Sequence, residues 1–255
     1  MSSITIVIPS YNESKRLPVY LQQLCKIASQ RRDTEIVVSD DGSRLEEYEV
    51  ILKIVEALKL VNPALKLHIY RSEQNVGKGA AIAREFRRSN SDIVGFVDAD
   101  GSVSASECFR LLDTYLILLS QETEQRCSSV IGSRLKILGN PVTRLWHRHY
   151  IGRVFATLVS ELFDIPVYDS QCGCKFYVRN DLLKVIDLAH DGRWLWDTQI
   201  LISLVKSGYR VVEIPVSWHD IPGSKVSMIK DAFRMFTGMI RFRLFIDDAI
   251  QKKAA

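Results

Sequence analysis

Two aspartates one residue apart close an apolar run in Val94-Gly95-Phe96-Val97-Asp98-Ala99-Asp100-Gly101. Strand residues i and i+2 point to the same face, so Asp98 and Asp100 converge just past the run if extended geometry persists to its end. Two carboxylates held together repel unless a cation joins them, and their hard oxygens suit Mg²⁺ or Mn²⁺. Asp and Gly also build turns, and a solvated turn is the competing reading. Asp40-Asp41-Gly42-Ser43 repeats the pattern of acidic residues after an apolar run. Gly77-Lys78-Gly79-Ala80 lacks the spacing of a phosphate-binding P-loop, and no Gly-x-Gly-x-x-Gly follows the first apolar run; both facts argue against kinase, GTPase and dinucleotide readings. What remains is a nucleotide edge with paired carboxylates, a site suited to neutralising a departing diphosphate.

The elements that must position these residues are legible from pattern. Ile4 to Ile8, Glu35 to Ser39, Leu65 to Tyr70 and Ile93 to Val97 are short runs of strand type. Segments with helical apolar spacing alternate with them, over Leu17 to Ile27, Glu46 to Leu60, a stretch opened by Gln74 to Gly79 and running to about Ser89, and Ser104 to Ser120. Ser104 with Glu107 three residues on forms a capping-box signature. Such alternation predicts an α/β fold, a mostly parallel sheet with helices on both faces. The polar clusters each follow a strand, which gathers Pro9–Glu13, Asp40–Ser43, Gly77–Gly79 and Asp98–Ser102 at the edge where ligands bind in open sheets. Further along, Val130 to Arg134 reads as a strand ending in a cation. Arg144 to Phe163 reads as a long helix with a basic, aromatic start, about Thr198 to Lys206 as a further helix, and Tyr209 to Val216 as another strand.

The 255 residues suffice for a large core, and 47% apolar with 25% charged residues is ordinary for a globular chain. A net charge of +4 is too small to imply nucleic acid and fits anionic ligands or an anionic surface. The five scattered cysteines lack zinc-ligand spacing and are expected to be reduced thiols. Neither a signal peptide nor a run of the ~18–20 apolar residues needed to span a bilayer is expected. The chain is therefore read as cytoplasmic, with any membrane association peripheral.

Taken together, Ile6 to Glu13, Val37 to Ser43, Asn75-Val76-Gly77-Lys78-Gly79 and Asp98-Ala99-Asp100-Gly101 resemble family 2 glycosyltransferases of the GT-A fold. Gly132-Ser133-Arg134, Asp169 to Phe176, Arg193-Trp194-Leu195-Trp196-Asp197 and Gly223-Ser224-Lys225 extend the likeness to the polyprenyl-phosphate sugar transferases, most closely the dolichyl-phosphate β-glucosyltransferase branch. The resemblance implies that Pro9, Tyr11 and Glu13 line a nucleoside pocket. It implies that Asp41, with Asp40, accepts from the base, and that Lys78 stands near the nucleotide. Asp98, Ala99 and Asp100 would hold the diphosphate, the two aspartates through Mg²⁺ or Mn²⁺. Arg134, Arg148 and Lys225 fall where the family places cations around the diphosphate and the acceptor phosphate. His219 stands in a loop that often supplies an arginine. Asp197 and Asp169 are candidates to orient the acceptor or the sugar hydroxyls, or to act as base. Mannosyl relatives often carry glutamine where this chain has Ser102, and Asp-Ala-Asp-Gly matches the glucosyl branch.

The acceptor class is argued from charge. A sugar hydroxyl needs a general base as it attacks, whereas a phosphate monoester, with a second pKa near ~6, is already mostly dianionic at neutral pH. The cations Arg134, Arg144, Arg148, Arg153 and Lys225 favour the phosphate. Residues 1–225 are expected to form the catalytic domain, and 226–255 a C-terminal amphipathic helix packed on it or lying at the membrane surface. On that helix Ile229, Phe233, Phe236, Met239, Ile240 and Leu244 share an apolar face edged by Lys230, Arg234 and Arg241, the pattern of an interfacial helix. The expected activity is inverting transfer of a hexose, with UDP-glucose preferred as donor, to a polyprenyl phosphate at the cytosolic face of a membrane. Transfer to a soluble or polysaccharide hydroxyl, a GDP-mannose-dependent reaction, a non-catalytic nucleotide-sugar binder and self-association are left open.

Overall fold

The computed structural model describes residues 2–121, 126–137, 139–222 and 228–254, excluding the side chains of residues 146–148, 228–232, 253 and 254. The first half alternates as expected: β1 (Ile4–Ser10), α1 (Leu17–Ala28), β2 (Thr34–Asp40), α2 (Leu45–Val61), β3 (Lys66–Arg71), α3 (Lys78–Arg88), β4 (Ile93–Val97) and α4 (Ala105–Ser120). The second half follows with β5 (Cys127–Ser133), β6 (Val142–Thr143), α5 (Trp146–Phe163), β7 (Cys174–Val178), α6 (Arg179–Val185), α7 (Trp196–Lys206), β8 (Arg210–Pro215), β9 (Trp218–His219) and α8 (Met228–Ala254). Ser104 caps α4 by accepting from the Glu107 N–H, the first half of the capping box, while the Glu107 carboxylate is taken by Arg110 and the Ser217 N–H.

Seven strands form one sheet in the order β3-β2-β1-β4-β7-β5-β8. Only β7 runs against its neighbours, antiparallel to both β4 and β5. The strands alternate faces. On one side Ile4, Ile6 and Ile8 pack with Leu17 and Tyr20 of α1, Ile51 of α2 and Leu112 of α4. On the other, Val7, Phe96, Ile131 and Tyr177 pack with Ile82 of α3, Val159 of α5, Leu182 of α6, Ile200 of α7 and Met239 of α8. Gly95 has no side chain because Phe176 crosses it on β7: a Cβ there would sit 2.1 Å from the ring.

Three boundary differences matter for the site. Helix α5 begins at Trp146 rather than Arg144, which leaves Arg144 in the preceding loop. Helix α7 begins at Trp196, so Asp197 lies in its first turn. Helix α8 divides its apolar residues: Met239, Phe242 and Ile246 are buried against the core, whereas Phe233, Phe236, Ile240 and Leu244 face outward. The single apolar face drawn from the sequence is thus two faces, because the α5–α7 side of the domain covers one arc of the helix. Ile229 and Lys230 belong to the side chains outside the described set. No described helix is long and apolar enough to cross a membrane.

Candidate active site

A cleft of about 640 Å³ runs along the carboxyl ends of β1, β2 and β4. Pro9, Tyr11, Glu13, Asp41, Lys78, Asp98, Ala99, Asp100 and Arg134 all line it, so residues up to 125 positions apart meet on one surface. The backbone explains how. β1 and β2 pair in parallel through Ser10 and Asp40, which sets the loops that follow them side by side. Both carboxylate oxygens of Asp41 accept backbone N–H groups of the loop before α3, Val76 at 2.9 Å and Gly77 at 2.8 Å. That capture brings the first residue of α3, Lys78, into the cleft.

The ammonium of Lys78 is 2.7 Å from Asp98 Oδ1 and 3.4 Å from Asp197 Oδ2. It also lies over the rings of Phe96 and Trp194. Burial alone would favour neutral Lys78, but Asp197 and Asp98 overcome this and hold its pKa above the ordinary value. Burial pushes the Asp98 carboxyl up, with Asp100 and Asp197 adding repulsion and Lys78 opposing it. Asp100 is held differently, accepting the Ser102 N–H at 2.9 Å with Arg16 4.0 Å from its other oxygen. Arg16 in turn makes a two-pronged contact with Glu13, at 2.7 and 2.5 Å. Among the described residues no group of three or more His, Cys, Asp or Glu gathers to hold a metal ion; Asp98 and Asp100 are the lining carboxylates that follow β4.

Across the cleft Arg134 grips Asp169 with Nε and Nη2 at 2.7 and 2.6 Å, and its own backbone N–H adds a third bond at 2.9 Å. Burial would raise the Asp169 carboxyl, but the charge and hydrogen bonds of Arg134 hold it below the usual carboxylate range. Arg144 lines the same wall. Burial, and then the neighbouring charge of Arg134, push its guanidinium down to about 10, with the charges of Asp169 and Asp220 opposing the shift. Trp218 lies under the Arg134 guanidinium and donates its ring N–H to Asp220 at 2.8 Å.

Several expected residues stand elsewhere. Asp40 is fully buried, accepts from Ser43 and faces Arg71 at 3.6 Å. It braces the turn after β2 and does not line the cleft. His219 is exposed on the two-residue strand β9, while its neighbours Trp218 and Asp220 line the cleft, because a strand alternates its sides. Asp169 and Asp197 sit behind the wall, each held by a lining cation. The Arg148 side chain and Lys225 lie outside the described residues. Sequence reasoning did not assign Arg16, Gln171, Trp194 or Lys175 to the site. The Glu13/Arg16 spacing of three was a readable signal for the first; the lysine in a buried strand was one for the last.

Ile151, Val154, Phe155 and Leu158 of α5 and Met235 and Phe236 of α8 line the same cleft, and the Arg144 guanidinium lies against Gly152 of α5. The cleft therefore joins carboxylates, arginines and hydrocarbon in one trough.

Comparison with known proteins gives a consistent picture. The sequence model of the family described as Glycosyl transferase family 2 matches residues 5–186. A dolichyl-phosphate beta-glucosyltransferase of Saccharomyces cerevisiae is 29% identical over 248 residues, covering 94% of this chain and 74% of that protein. The Homo sapiens protein of the same name is 27% identical, over 94% of this chain and 75% of its own length. Among solved structures, glucosyl-3-phosphoglycerate synthase from Mycobacterium tuberculosis, in complex with Mn²⁺, uridine diphosphate and phosphoglyceric acid, superposes with a TM-score of 0.68. It is 15% identical and covers 96% of this chain and 79% of that one. The shared architecture is the GT-A fold.

The Arg134–Asp169 pair generates a stability prediction. Asp169→Asn is expected to cost about 3–5 kcal/mol at neutral pH, because it leaves a buried guanidinium without its counter-ion. The carboxyl titrates below its unfolded value in the native protein, so its contribution is full above the unfolded pKa and is lost as pH falls through the folded one. Urea unfolding from about pH 7 to about pH 3 should show the gap between the two proteins closing on acidification; a gap that stays constant contradicts the assignment.

Proposed function

We propose, on the premise that this chain belongs to glycosyl transferase family 2, that it moves glucose from UDP-glucose to dolichyl phosphate or a similar polyprenyl phosphate, with inversion. The observation that carries this reading is the continuity of the trough, from Asp98 and Asp100, past Arg134 and Arg144, to the apolar wall of α5 and α8. A soluble hydroxyl acceptor has no use for that wall. A phosphate on an isoprenoid chain needs both the arginines and the hydrocarbon. The names of the relatives support the acceptor and the sugar, and the ligands of the fold neighbour support the uridine nucleotide.

An all-oxygen pair, joined by no third His, Cys, Asp or Glu among the described residues, fits a hard divalent cation that takes the rest of its shell from phosphate oxygens and water. It does not fit a nitrogen- and sulfur-rich zinc site. Asp98 and Asp100 are the residues that would hold Mg²⁺ or Mn²⁺, and the ion would neutralise charge developing on the departing diphosphate. The chain's own side chains do the rest. Pro9 and Tyr11 wall the nucleoside end, and Asp41 fixes the loop that carries Lys78. Lys78 brings a permanent cation to the diphosphate end. Arg134, oriented by Asp169, and Arg144 draw the acceptor phosphate beside a second anion. A phosphate oxygen then forms its bond to the anomeric carbon as the bond from that carbon to the diphosphate oxygen breaks. No proton needs to be removed, because the monoester is already ionised.

Helices α5 and α8 are in contact, and Phe233, Ile240 and Leu244 of α8 and Tyr150, Ile151 and Val154 of α5 are exposed, as are Arg234 and Arg241. In this reading the face rests on a cytosolic membrane surface with the apolar end of the trough turned to the lipid.

Incubation with Mn²⁺, radiolabelled UDP-glucose and a short dolichyl phosphate should yield an organic-extractable glucosyl lipid, with GDP-mannose a poor donor. Asp100→Ala should lower the rate at least about a hundredfold. Transfer only to water or to soluble sugars would overturn the lipid assignment, and full activity of the variant would overturn the carboxylate role. The protein should also sediment with anionic liposomes in a salt-sensitive way, and Phe233→Asp combined with Leu244→Asp should weaken this; equal recovery with and without vesicles would contradict the membrane face.

A further inference from the structure

Lys175 is the least expected side chain in the molecule. It occupies β7, between Phe96 of β4 and Ile131 of β5 in register, and is fully buried on the face that holds Phe96, Ile131 and Tyr177. Its ammonium makes no hydrogen bond among the described residues. The nearest opposite charge is Asp197 Oδ2 at 3.5 Å, beyond ordinary N–H···O length. Burial, with the charge of Lys78 adding to it, pulls the Lys175 pKa down against the attraction of Asp197. Replacing a whole buried ion pair by apolar residues is often neutral, whereas removing one partner is costly where it strands the other charge. Asp197 already has Lys78 on the same oxygen, at 3.4 Å. Neutralising Asp197 therefore does not require Lys175.

What the second lysine adds is direction. Two ammonium groups approach one oxygen of Asp197 from two elements, Lys78 from the start of α3 and Lys175 from β7 beneath it. The other oxygen, Oδ1, is buried and has no hydrogen-bond partner among the described residues. A carboxylate that is 3% exposed and has one oxygen doubly clamped and the other unfilled is an incomplete group, since buried polar atoms are satisfied in native folds. Its neighbours Lys78 and Asp98 line the cleft, as does Trp194 three residues before it.

We propose that Lys175 is a positioning residue for donor-sugar recognition: it fixes Asp197 through Oδ2 so that Oδ1 accepts a hydroxyl of the bound hexose. This rests on the reading of the cleft as the nucleotide-sugar site and adds to it the residue that aims Asp197. Lys175 itself touches no substrate.

The role is tested by calorimetric binding of UDP-glucose and of UDP, with Mn²⁺, to the full chain and to Lys175→Met, Asp197→Asn and the double variant. Loss of an aligned charged acceptor corresponds to about a tenfold weakening. Lys175→Met should therefore weaken UDP-glucose about tenfold and leave UDP within about a factor of two. The double variant should be no worse than Asp197→Asn alone, because the lysine acts only through that carboxylate. Thermal unfolding of the same proteins gives a readout independent of any donor. Lys175→Met should keep the midpoint of the unsubstituted protein, whereas Asp197→Asn, which strands Lys175 and leaves Lys78 with Asp98 alone, should lower it, and adding Lys175→Met should restore part of the loss. Equal weakening of UDP and UDP-glucose, additive losses in the double variant, or a lowered midpoint for Lys175→Met would each make Lys175 a structural residue and overturn the proposal. Failure of the unsubstituted protein to bind any UDP ligand would instead count against the donor assignment, with the unfolding comparison still deciding whether Lys175 serves the fold.

Discussion

Carboxylates cannot be gathered at a dry sheet edge without a cation among them, and in this protein that cation is the ammonium of Lys78. It spans Asp98 and Asp197 and so joins the end of β4 to the first turn of α7. Much of the surrounding backbone is shaped to allow it. Gly77 adopts φ +108, and a Cβ there would sit 2.3 Å from the carbonyl of Gly192. Gly79 packs so tightly on Trp196 that a Cβ would again come to 2.3 Å. Gly173 accommodates the Asp98 carboxylate itself, whose Oδ2 would lie 2.0 Å from an added Cβ. These glycines let α3, α7 and the loop before β7 close on one point, and Lys78 offsets the repulsion that results.

The opposite wall solves the reverse problem. Arg134 is neutralised by Asp169, whereas Arg144 sits in its field with a weakened hold on its proton. The trough is thus lined by the Asp98/Asp100 pair, by Arg134 and Arg144, and by hydrocarbon of α5 and α8. The antiparallel strand β7 is what links the two walls, because it lies between β4, which ends in the carboxylates, and β5, which ends at Arg134.

Much of this was legible in the residues. Strand and helix periods are local, and the polar clusters after Ile8, Ser39 and Val97 had to meet once the strands were parallel. Individual roles within a cluster were less accessible. Asp40 and Asp41 look alike in sequence, but strand β2 ends at Asp40, which turns inward to Ser43 and Arg71, so only Asp41 lines the cleft. His219 was placed a residue away from its lining neighbours by the alternation of β9. Lys175 belongs to a motif visible in the sequence, yet its meaning depends on a carboxylate 22 positions later that only tertiary packing brings beneath it. The two faces of α8 likewise depend on which arc α5 and α7 cover.

The central claim is that one trough takes a nucleotide sugar at the carboxylate end and a lipid phosphate at the other. The most direct measurement is photo-crosslinking with a polyprenyl phosphate that carries a photoreactive group on its second or third isoprene unit, followed by peptide mapping. The account predicts labelling of Ile151 to Leu158 and of Met235 or Phe236, suppressed by an excess of unmodified polyprenyl phosphate. Labelling confined to surfaces outside α5 and α8, or labelling that excess acceptor does not reduce, would contradict it.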